Sequence, residues 1–378
     1  MSSNNTVQIQ KSGVTQVIRS GISRTPLTKL YERVKAIADG ARGGMNQGIY
    51  IVRKISTGKL YVEKRFKPHP NDQFTIRLAM LEIYLLKRLV HNSIVFYQDA
   101  YVRENPFDAA VYMEYCDRGS LSNLIQVYQQ SKTTHQQHFI PESFIWHAFV
   151  GLADALYFLK TGESYISTPI HSNQGKKWTP IIHRDIKPDN IFLRSHDTPG
   201  SKKPLYVLLS DFGLASPDDK DPSVARKPSG VRGTPEFHAP ELCFQPFPAT
   251  HQMDYQAQPH TAKSDVWALA CMMFAMCERD EFAHLNRYCF PMRSQKCRGR
   301  DAILSMLDIT QKQEYSEYLE RCIKWAGNKD PRDRPDPRVL IREVKGELDK
   351  WVKDPNWTAQ VAVAGELPDW ATKKSDVS

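Results

Sequence analysis

The order of strand-like and helix-like patterns along the chain constrains the fold more than any other feature. Before Ser120, apolar patterning predicts strands at 49–55, 60–66, 94–103 and 109–114 and an amphipathic helix at 74–90. A hairpin signal at Ser56–Lys59 joins the first two strands. Beyond Ser120 the patterns are mainly helical. Strands with one helix, followed mostly by helices, predict an α+β protein with two unequal lobes.

The second part of the chain and both of its ends complete this outline. Predicted helices lie at 121–130, 142–159, 262–277, 301–308, 313–326 and 337–351, and short strands lie near 191–194 and 205–209. Residues 27–38 fit a short helix, whereas 1–28 are polar and aperiodic and predict a disordered tail. A weakly structured C-terminal tail is expected at 351–378. The polar stretches 161–180 and 243–261 are interpreted as tolerated insertions, with partner docking as the alternative.

Composition excludes several classes of protein. Of the 378 residues, 41% are hydrophobic and 25% charged, which is typical of a globular protein. The longest near-continuous apolar run, Val266–Cys277, is shorter than the roughly 20 residues of a membrane span, and the N-terminus lacks a secretory pattern. We therefore expect no membrane association. The net charge of +9 lies in short basic clusters without a nucleic-acid motif, so no direct nucleic-acid partner is expected. Seven cysteines without a Cys-x-x-Cys pair indicate reduced thiols in the cytoplasm or nucleus.

Three motifs in the second part of the chain carry the chemistry. They read Ile182-His183-Arg184-Asp185-Ile186-Lys187-Pro188-Asp189-Asn190, Asp211-Phe212-Gly213 and Gly233-Thr234-Pro235-Glu236-Phe237-His238-Ala239-Pro240-Glu241. In this order they resemble the eukaryotic protein-kinase signature: a catalytic loop, a metal-binding turn and an activation segment that closes on Ala-Pro-Glu. The resemblance implies a bilobal protein-kinase fold over 29–350, with an N-lobe at about 38–113, a hinge at 114–119 and a C-lobe at 120–350.

The resemblance assigns a role in phosphoryl transfer to five residues. In this reaction negative charge spreads over oxygen atoms, so catalysis consists mainly of positioning and charge neutralisation. Asp185 matches the carboxylate that accepts the substrate hydroxyl proton. Lys187 would lie beside the transferred group, and Thr234 would hydrogen-bond to Asp185 and Lys187. Asn190, which belongs to the same catalytic loop, and Asp211 match the oxygen ligands of Mg²⁺.

The resemblance also implies residues that bind ATP. Val62 and Lys64 match the strand that covers the adenine and presents the phosphate-anchoring lysine, and Glu82 matches the acidic partner of that lysine. A surface ion pair between Glu82 and Lys87 is the alternative. In the hinge, Met113 would guard the deep pocket, the backbone of Glu114 and Cys116 would bind adenine, and Phe192 would form the floor of the adenine site. The hinge, this Phe and Asp-Phe-Gly-Leu-Ala together resemble the NIMA-related branch.

The glycine-rich turn departs from the family pattern. Gly43, Gly44 and Gly48 are spaced differently from Gly-x-Gly-x-x-Gly. Glycine lets a backbone approach closely, so the segment predicts a cradle for the phosphates. A flexible turn without that role is the alternative.

Substrate class and regulation follow from the same resemblance. Lys187 and Thr234 match the serine/threonine form of the catalytic machinery, and Asp189 is interpreted equally as a substrate-reading or a loop-stabilising carboxylate. Arg184 beside Asp185 marks a class that is often controlled by a phosphate on the activation segment. Ser229, which lies between Lys227 and Arg232, is the predicted phosphorylation site.

Two structural contacts are also implied. Asp265 would tether the catalytic loop from the central helix, and Glu241 would form a buried ion pair with Arg334. The resulting hypothesis is an ATP- and Mg²⁺-dependent serine/threonine protein kinase with an unidentified regulatory partner. A kinase-fold scaffold without activity and a small-molecule phosphotransferase are the alternatives. The intact Lys64, Glu82 and Asp185 favour the kinase.

Overall fold

The computed structural model of the chain contains two compact units, and the boundary between them lies after Asp117. It describes residues 7–11, 14–18, 22–38, 46–67, 72–130, 138–167, 178–196, 203–218, 232–243, 260–286, 307–311, 313–362 and 365–372. Residues 301–306 of the predicted helix at 301–308 and most of the 243–261 loop lie outside these ranges. No helix in the described ranges is long and apolar enough to cross a membrane.

The first unit is built on an antiparallel sheet. Its strands are β1 (Val7–Lys11), β2 (Val14–Ile18), β3 (Tyr31–Ala38), β4 (Asn46–Lys54), β5 (Leu60–Phe66), β6 (Tyr97–Arg103) and β7 (Asp108–Glu114), and helix α1 (Asp72–Arg88) lies between β5 and β6 in the chain. The sheet has the order β3-β4-β5-β7-β6, and β1 and β2 form a separate pair. The strands predicted before Ser120 and the helix at 74–90 are therefore present.

The prediction of a short helix at 27–38 is wrong, because this segment forms the edge strand β3. Tyr31 explains the preference. Its ring stacks on Tyr112 at 4.5 Å and meets Tyr61 edge-on at 5.8 Å. Its hydroxyl donates to Asp99 at 2.6 Å. Tertiary packing of this aromatic side chain outweighs a weak local helix propensity.

The N-terminal 28 residues also differ from the prediction of a disordered tail. They include β1 and β2, and Leu27 is buried in the core beside Tyr31. Ser23 adds a short parallel bridge to β6, since its N–H donates to Ala100 and its carbonyl accepts from Val102. Backbone hydrogen bonds do not depend on the type of side chain. The polar, aperiodic sequence of this segment therefore does not indicate them.

The second unit is mainly helical. Its helices are α2 (Leu121–Gln130), α3 (Glu142–Thr161), α4 (Pro240–Cys243), α5 (Ala262–Glu278), α6 (Glu317–Ala326), α7 (Pro337–Lys353) and α8 (Thr358–Ala362), and its short strands are β8 (Ile181–Ile182), β9 (Ile191–Arg194), β10 (Tyr206–Leu209) and β11 (Ser216–Pro217). Strand β9 pairs with β10 and β8 pairs with β11, both antiparallel. Helix α6 begins four residues later than predicted because the Ser316 hydroxyl caps it.

Helix α5 forms the centre of the second unit. Its residues from Ser264 to Cys277 are all buried, so the helix is enclosed on every side. A helix that is hydrophobic all round belongs inside a core. Its two cysteines, Cys271 and Cys277, are buried there, and burial raises the pKa of both thiols. Both cysteines therefore serve as packing residues of this core.

The C-terminal residues that the structure describes, up to Thr372, pack onto the second unit, where the sequence predicts a weakly structured tail. Trp370 lies 5.0 Å from the ring of Tyr128 and 5.0 Å from that of His138. Arg118, the first residue of the unit, donates to the carbonyl of Thr372 at 2.7 Å. These contacts join residues more than 200 positions apart, and helical periodicity in the sequence cannot indicate them.

Replacing Trp370 with alanine should loosen this C-terminal packing. We expect the free energy of unfolding to fall by about 1–2 kcal/mol, less than the ~3–5 kcal/mol of a fully buried Trp, because 41% of Trp370 is exposed. Denaturant unfolding measures the change. Val352→Ala, at an exposed site on α7, is the control and should alter stability by less than about 0.5 kcal/mol. Equal stability of the Trp370→Ala variant and the wild type would show that the segment contributes nothing.

A buried ion pair closes the second unit, as the sequence predicts. Arg334, with a fully buried side chain, donates to the two carboxylate oxygens of Glu241 at 2.7 and 3.0 Å. It also donates to the carbonyls of Asn328 and Lys263, both at 2.9 Å. Such bidentate pairs are strongly directional. Arg334 therefore joins the segment before α7 to α4 and α5.

Arg334→Ala should cost about 3–5 kcal/mol of unfolding free energy, because Glu241 and two carbonyls lose their buried donor. Thermal and denaturant unfolding measure the loss. Arg342→Ala removes an exposed arginine on α7 and should be nearly neutral. An Arg334→Ala variant as stable as Arg342→Ala would contradict this assignment.

Candidate active site

The loop that follows β8 is anchored by a buried carboxylate. Asp265 on α5 accepts the backbone N–H of His183 at 2.7 Å and that of Arg184 at 3.0 Å. Burial raises the pKa of Asp265 to about 7, and these two hydrogen bonds oppose the rise. Arg184 has a positive φ of 71°, an uncommon conformation for a residue with a side chain. Asp265 thus stabilises a strained backbone directly before Asp185.

His183 fixes the other side of the same loop. Its side chain is fully buried, and burial lowers its pKa, so the ring is neutral. Nε2 lies 3.0 Å from the carbonyl of Ser210, and Nδ1 accepts the N–H of Asp185 at 3.3 Å. Nε2 therefore carries the proton in this arrangement. The histidine links the loop to the residue that precedes Asp211.

Asp185 is held by three polar side chains. Its Oδ1 accepts both the hydroxyl of Thr234 at 2.7 Å and the Thr234 N–H at 2.9 Å. Its Oδ2 accepts from the amide of Asn190 at 3.1 Å, and the ammonium of Lys187 lies 3.5 Å away. Lys187 in turn donates to the Thr234 hydroxyl at 2.7 Å. The contacts predicted from Thr234 to Asp185 and Lys187 are present, and they orient a carboxylate that is 10% exposed.

Gly233 is a site residue that motif reasoning did not single out. Its φ of +102° favours glycine, and a Cβ there would lie 2.2 Å from the carbonyl oxygen of Arg184. The chain segments before Thr234 and Asp185 therefore touch backbone to backbone. The sequence did contain a signal, because glycine directly precedes Thr234.

Asn190 and Asp211 supply the oxygen atoms of a candidate magnesium site. The side-chain amide nitrogen of Asn190 donates to the backbone carbonyl of Asp185. The backbone carbonyl of Asn190 accepts the N–H of Ser210 at 2.9 Å. Asp211 follows Ser210 directly and has a positive φ of 60°. An amide oxygen and a carboxylate are hard donors, and a pair of them fits Mg²⁺, which keeps waters and phosphate oxygens for its other positions. The donor chemistry of these residues thus fits the ion.

In the first unit, Lys64 and Glu82 form a buried ion pair. Lys64 Nζ lies 2.7 Å from Glu82 Oε1, and the two side chains are 8% and 4% exposed. Strand β5 presents the lysine and helix α1 presents the glutamate, with Ile83 beside it in the core. The alternative of a surface pair between Glu82 and Lys87 is therefore wrong. A lysine held in this way can bind phosphate oxygens.

The other predicted nucleotide-binding residues lie at definite positions in the fold. Val62 on β5 pairs with Met113 on β7, and Glu114 ends β7 two residues before the half-buried Cys116. In the second unit, Phe192 lies on β9 opposite Leu208. Their roles toward adenine remain predictions.

The glycine-rich segment is only partly described. Gly48 lies within β4, opposite Arg65, rather than in a turn. A Cβ at Gly48 would lie 2.7 Å from the Tyr50 hydroxyl, so a larger residue here would displace the Tyr50 side chain. Gly43 and Gly44 fall outside the described residues, as does Ser229. Arg184, the predicted phosphate partner, donates from Nε to the carbonyl of Leu214.

The amino-acid sequence matches known proteins over most of its length. Residues 31–344 match the protein kinase domain family. The chain is 31% identical over 325 residues to the G2-specific protein kinase nimA of Emericella nidulans, an alignment that covers 82% of the chain and 40% of that relative. It is 30% identical over 252 residues to the G2-specific protein kinase fin1 of Schizosaccharomyces pombe, covering 65% of the chain and 30% of the relative.

A third relative comes from an animal. The serine/threonine-protein kinase Nek2 of Mus musculus is 28% identical over 247 residues, covering 65% of the chain and 46% of the relative. The chain therefore spans less than half the length of each of these three relatives.

Gly233→Ala tests the backbone contact beside Asp185. We expect it to lower the unfolding free energy by about 1–3 kcal/mol, because φ is positive and Arg184 blocks the new methyl group. Gly346→Ala is a matched control, since this glycine lies in α7 with open space around it. It should stabilise the helix by about 0.5–1 kcal/mol. Thermal denaturation measures the change in unfolding free energy for both variants. A change of the same sign in Gly233→Ala and Gly346→Ala would contradict the backbone contact assigned to Gly233.

Proposed function

Because this chain belongs to the protein kinase domain family, we propose that it transfers the γ-phosphoryl group of ATP to serine and threonine hydroxyls of protein substrates. The observation that carries the proposal is the oriented carboxylate of Asp185. Thr234 and Asn190 hold its two oxygens, and Lys187 lies beside it. Phosphoryl transfer requires mainly positioning and charge stabilisation, and this cluster supplies both.

Asp185 acts as the base in this proposal. Thr234 donates two hydrogen bonds to Oδ1, which leaves Oδ2 as the oxygen that faces the substrate hydroxyl, with Asn190 on its other side. The hydroxyl proton moves to Asp185 as the bond from the hydroxyl oxygen to the γ-phosphorus forms. The bond from that phosphorus to the β–γ bridging oxygen breaks, and ADP leaves with its electron pair. Lys187 stabilises negative charge on the transferred group.

ATP and Mg²⁺ are the cofactors of this family, and residues of both units fit them. Asn190 and Asp211 would ligate the ion, which neutralises charge on the phosphate oxygens when it is bound. In the first unit, Lys64 binds phosphate and Glu82 holds the lysine in place. Val62, Met113 and the backbone of Glu114 and Cys116 are assigned to adenine. In the second unit, Phe192 is assigned to the adenine as well.

The proposal extends to the domain, its regulation and its location. We assign the kinase domain to 29–350, with 351–378 as a C-terminal extension, and Ser229 as the phosphorylated residue that Arg184 binds. The cytoplasm or nucleus is the proposed location, because Cys271, Cys277 and Cys322 are thiols rather than disulfides. Similarity to the serine/threonine-protein kinase Nek2 supports the serine/threonine assignment.

Asp185→Asn provides the test of this function. With labelled ATP, Mg²⁺ and a generic basic protein, the wild type should transfer phosphate, and the variant should lose about 10²–10⁴-fold of that rate, because an amide cannot accept the proton. Asp349→Asn, at an exposed site on α7, is the control and should match the wild type. If the wild type binds ATP without transfer, the kinase-fold scaffold becomes the better account.

A further inference from the structure

Two histidines outside the predicted site hold one backbone residue between them. The N–H of Arg232 donates to His260 Nε2 at 3.1 Å, and the Arg232 carbonyl lies 3.0 Å from His238 Nε2. His238 precedes α4 and His260 precedes α5, so the two rings reach Arg232 from separate segments. The rings lie 6.0 Å apart, edge to face. We call this pair the histidine clamp.

The residue that the histidine clamp holds, Arg232, lies two positions before Thr234, which orients Asp185. Arg232 is followed by Gly233, whose backbone touches Arg184, and then by Thr234. Both the N–H and the hydroxyl of Thr234 bond to Asp185 Oδ1. A shift of the Arg232 backbone therefore moves Thr234 and, through it, the carboxylate.

The hydrogen bonds require opposite protonation at the two Nε2 atoms. His260 Nε2 accepts an N–H and must be unprotonated, whereas His238 Nε2 faces a carbonyl and must carry the proton. The surroundings keep both rings neutral. Burial, the charge of Arg184 and the neighbouring His238 lower the pKa of His260 to about 4. Burial also lowers the pKa of His238, although the hydrogen bond to the Arg232 carbonyl and the charges of Asp185 and Glu236 oppose the shift.

We propose that His238 and His260 are positioning residues that hold Arg232 to Thr234 in the conformation in which Thr234 orients Asp185. This inference rests on the proposed function, because the orientation of Asp185 affects the transfer rate only if this carboxylate is the base of the reaction. Neither histidine touches Asp185 by hydrogen bond, so their effect passes through the backbone of Arg232. A pair of histidines that only fills space would tolerate replacement by apolar groups of similar size.

The test compares two substitutions at the same position. His260→Gln keeps an acceptor oxygen within reach of the Arg232 N–H, whereas His260→Leu keeps similar volume without an acceptor. In single-turnover transfer from ATP, we expect the Leu variant to lose about 10-fold or more, because small displacements of reacting groups are costly. The Gln variant should stay within about threefold of wild type, and the KM for ATP should not change in either.

A second measurement does not depend on transfer. Hydrogen exchange at the amides of Arg232 and Thr234 reports local opening of their hydrogen bonds. Exchange should accelerate about 10-fold or more in His260→Leu and stay near wild type in His260→Gln. Unchanged exchange in the Leu variant would overturn the proposal. If the wild type transfers no phosphate, the proposed function fails separately, and the exchange rates still decide the positioning role.

His238 provides a second pair of variants should His260→Leu fail to fold. His238→Gln retains a donor for the Arg232 carbonyl, and His238→Leu removes it. The same contrast is expected: fast exchange at Thr234 in the Leu variant only. Equal exchange in the Leu and Gln variants, at either histidine, would mean that packing rather than hydrogen bonding matters, and the proposal would fall.

Discussion

The position of Asp185 in the second unit depends on two hydrogen bonds to the carboxylate of Asp265. It lies at the start of the buried helix α5 and accepts two backbone N–H groups, from His183 and Arg184. Hydrogen bonds to a charged group contribute about 1.5–3 kcal/mol each, comparable to the cost of about 1–3 kcal/mol for a strained residue such as Arg184. A rigid core helix thereby fixes the backbone that presents Asp185. Thr234, Asn190 and Lys187 then need only set the direction of its side chain.

The first unit applies the same principle to a different pair of charges. Lys64 and Glu82 lie in a core of apolar side chains, and neither would be buried without the other. Strand β5 and helix α1 are placed by packing, and the ion pair then fixes the ammonium group at one point. In both units, contacts within the protein hold the charged groups in place. Preorganised charge is the property that phosphoryl transfer needs most.

The sequence predicted the parts of this molecule whose signal is local or periodic. Helix α5 and the strands β4 and β5 agree with prediction, because apolar spacing indicates them. The pairing of Glu241 with Arg334 was predicted from the resemblance to protein kinases, and it is present. The prediction of a helix in place of the edge strand β3 is wrong because Tyr31 packs against Tyr61 and Tyr112, which are distant in sequence.

The unforeseen features of the candidate site have the same origin. Gly233 matters because the Arg184 carbonyl lies against it, and His238 and His260 matter because both reach Arg232. Each depends on contacts between segments that only the folded chain brings together. The packing of Trp370 on Tyr128 and His138 is a further case, since no repeat or period connects these positions.

The identity of the phosphorylated residue tests the central claim most directly. The purified chain would be incubated with ATP labelled in the γ-phosphate, Mg²⁺ and a peptide mixture that offers Ser, Thr and Tyr in equal amounts. The account predicts label on serine and threonine and none on tyrosine, in keeping with the Lys187 and Thr234 contacts at Asp185. Label on tyrosine alone, or no labelled peptide while ATP is bound, would contradict it.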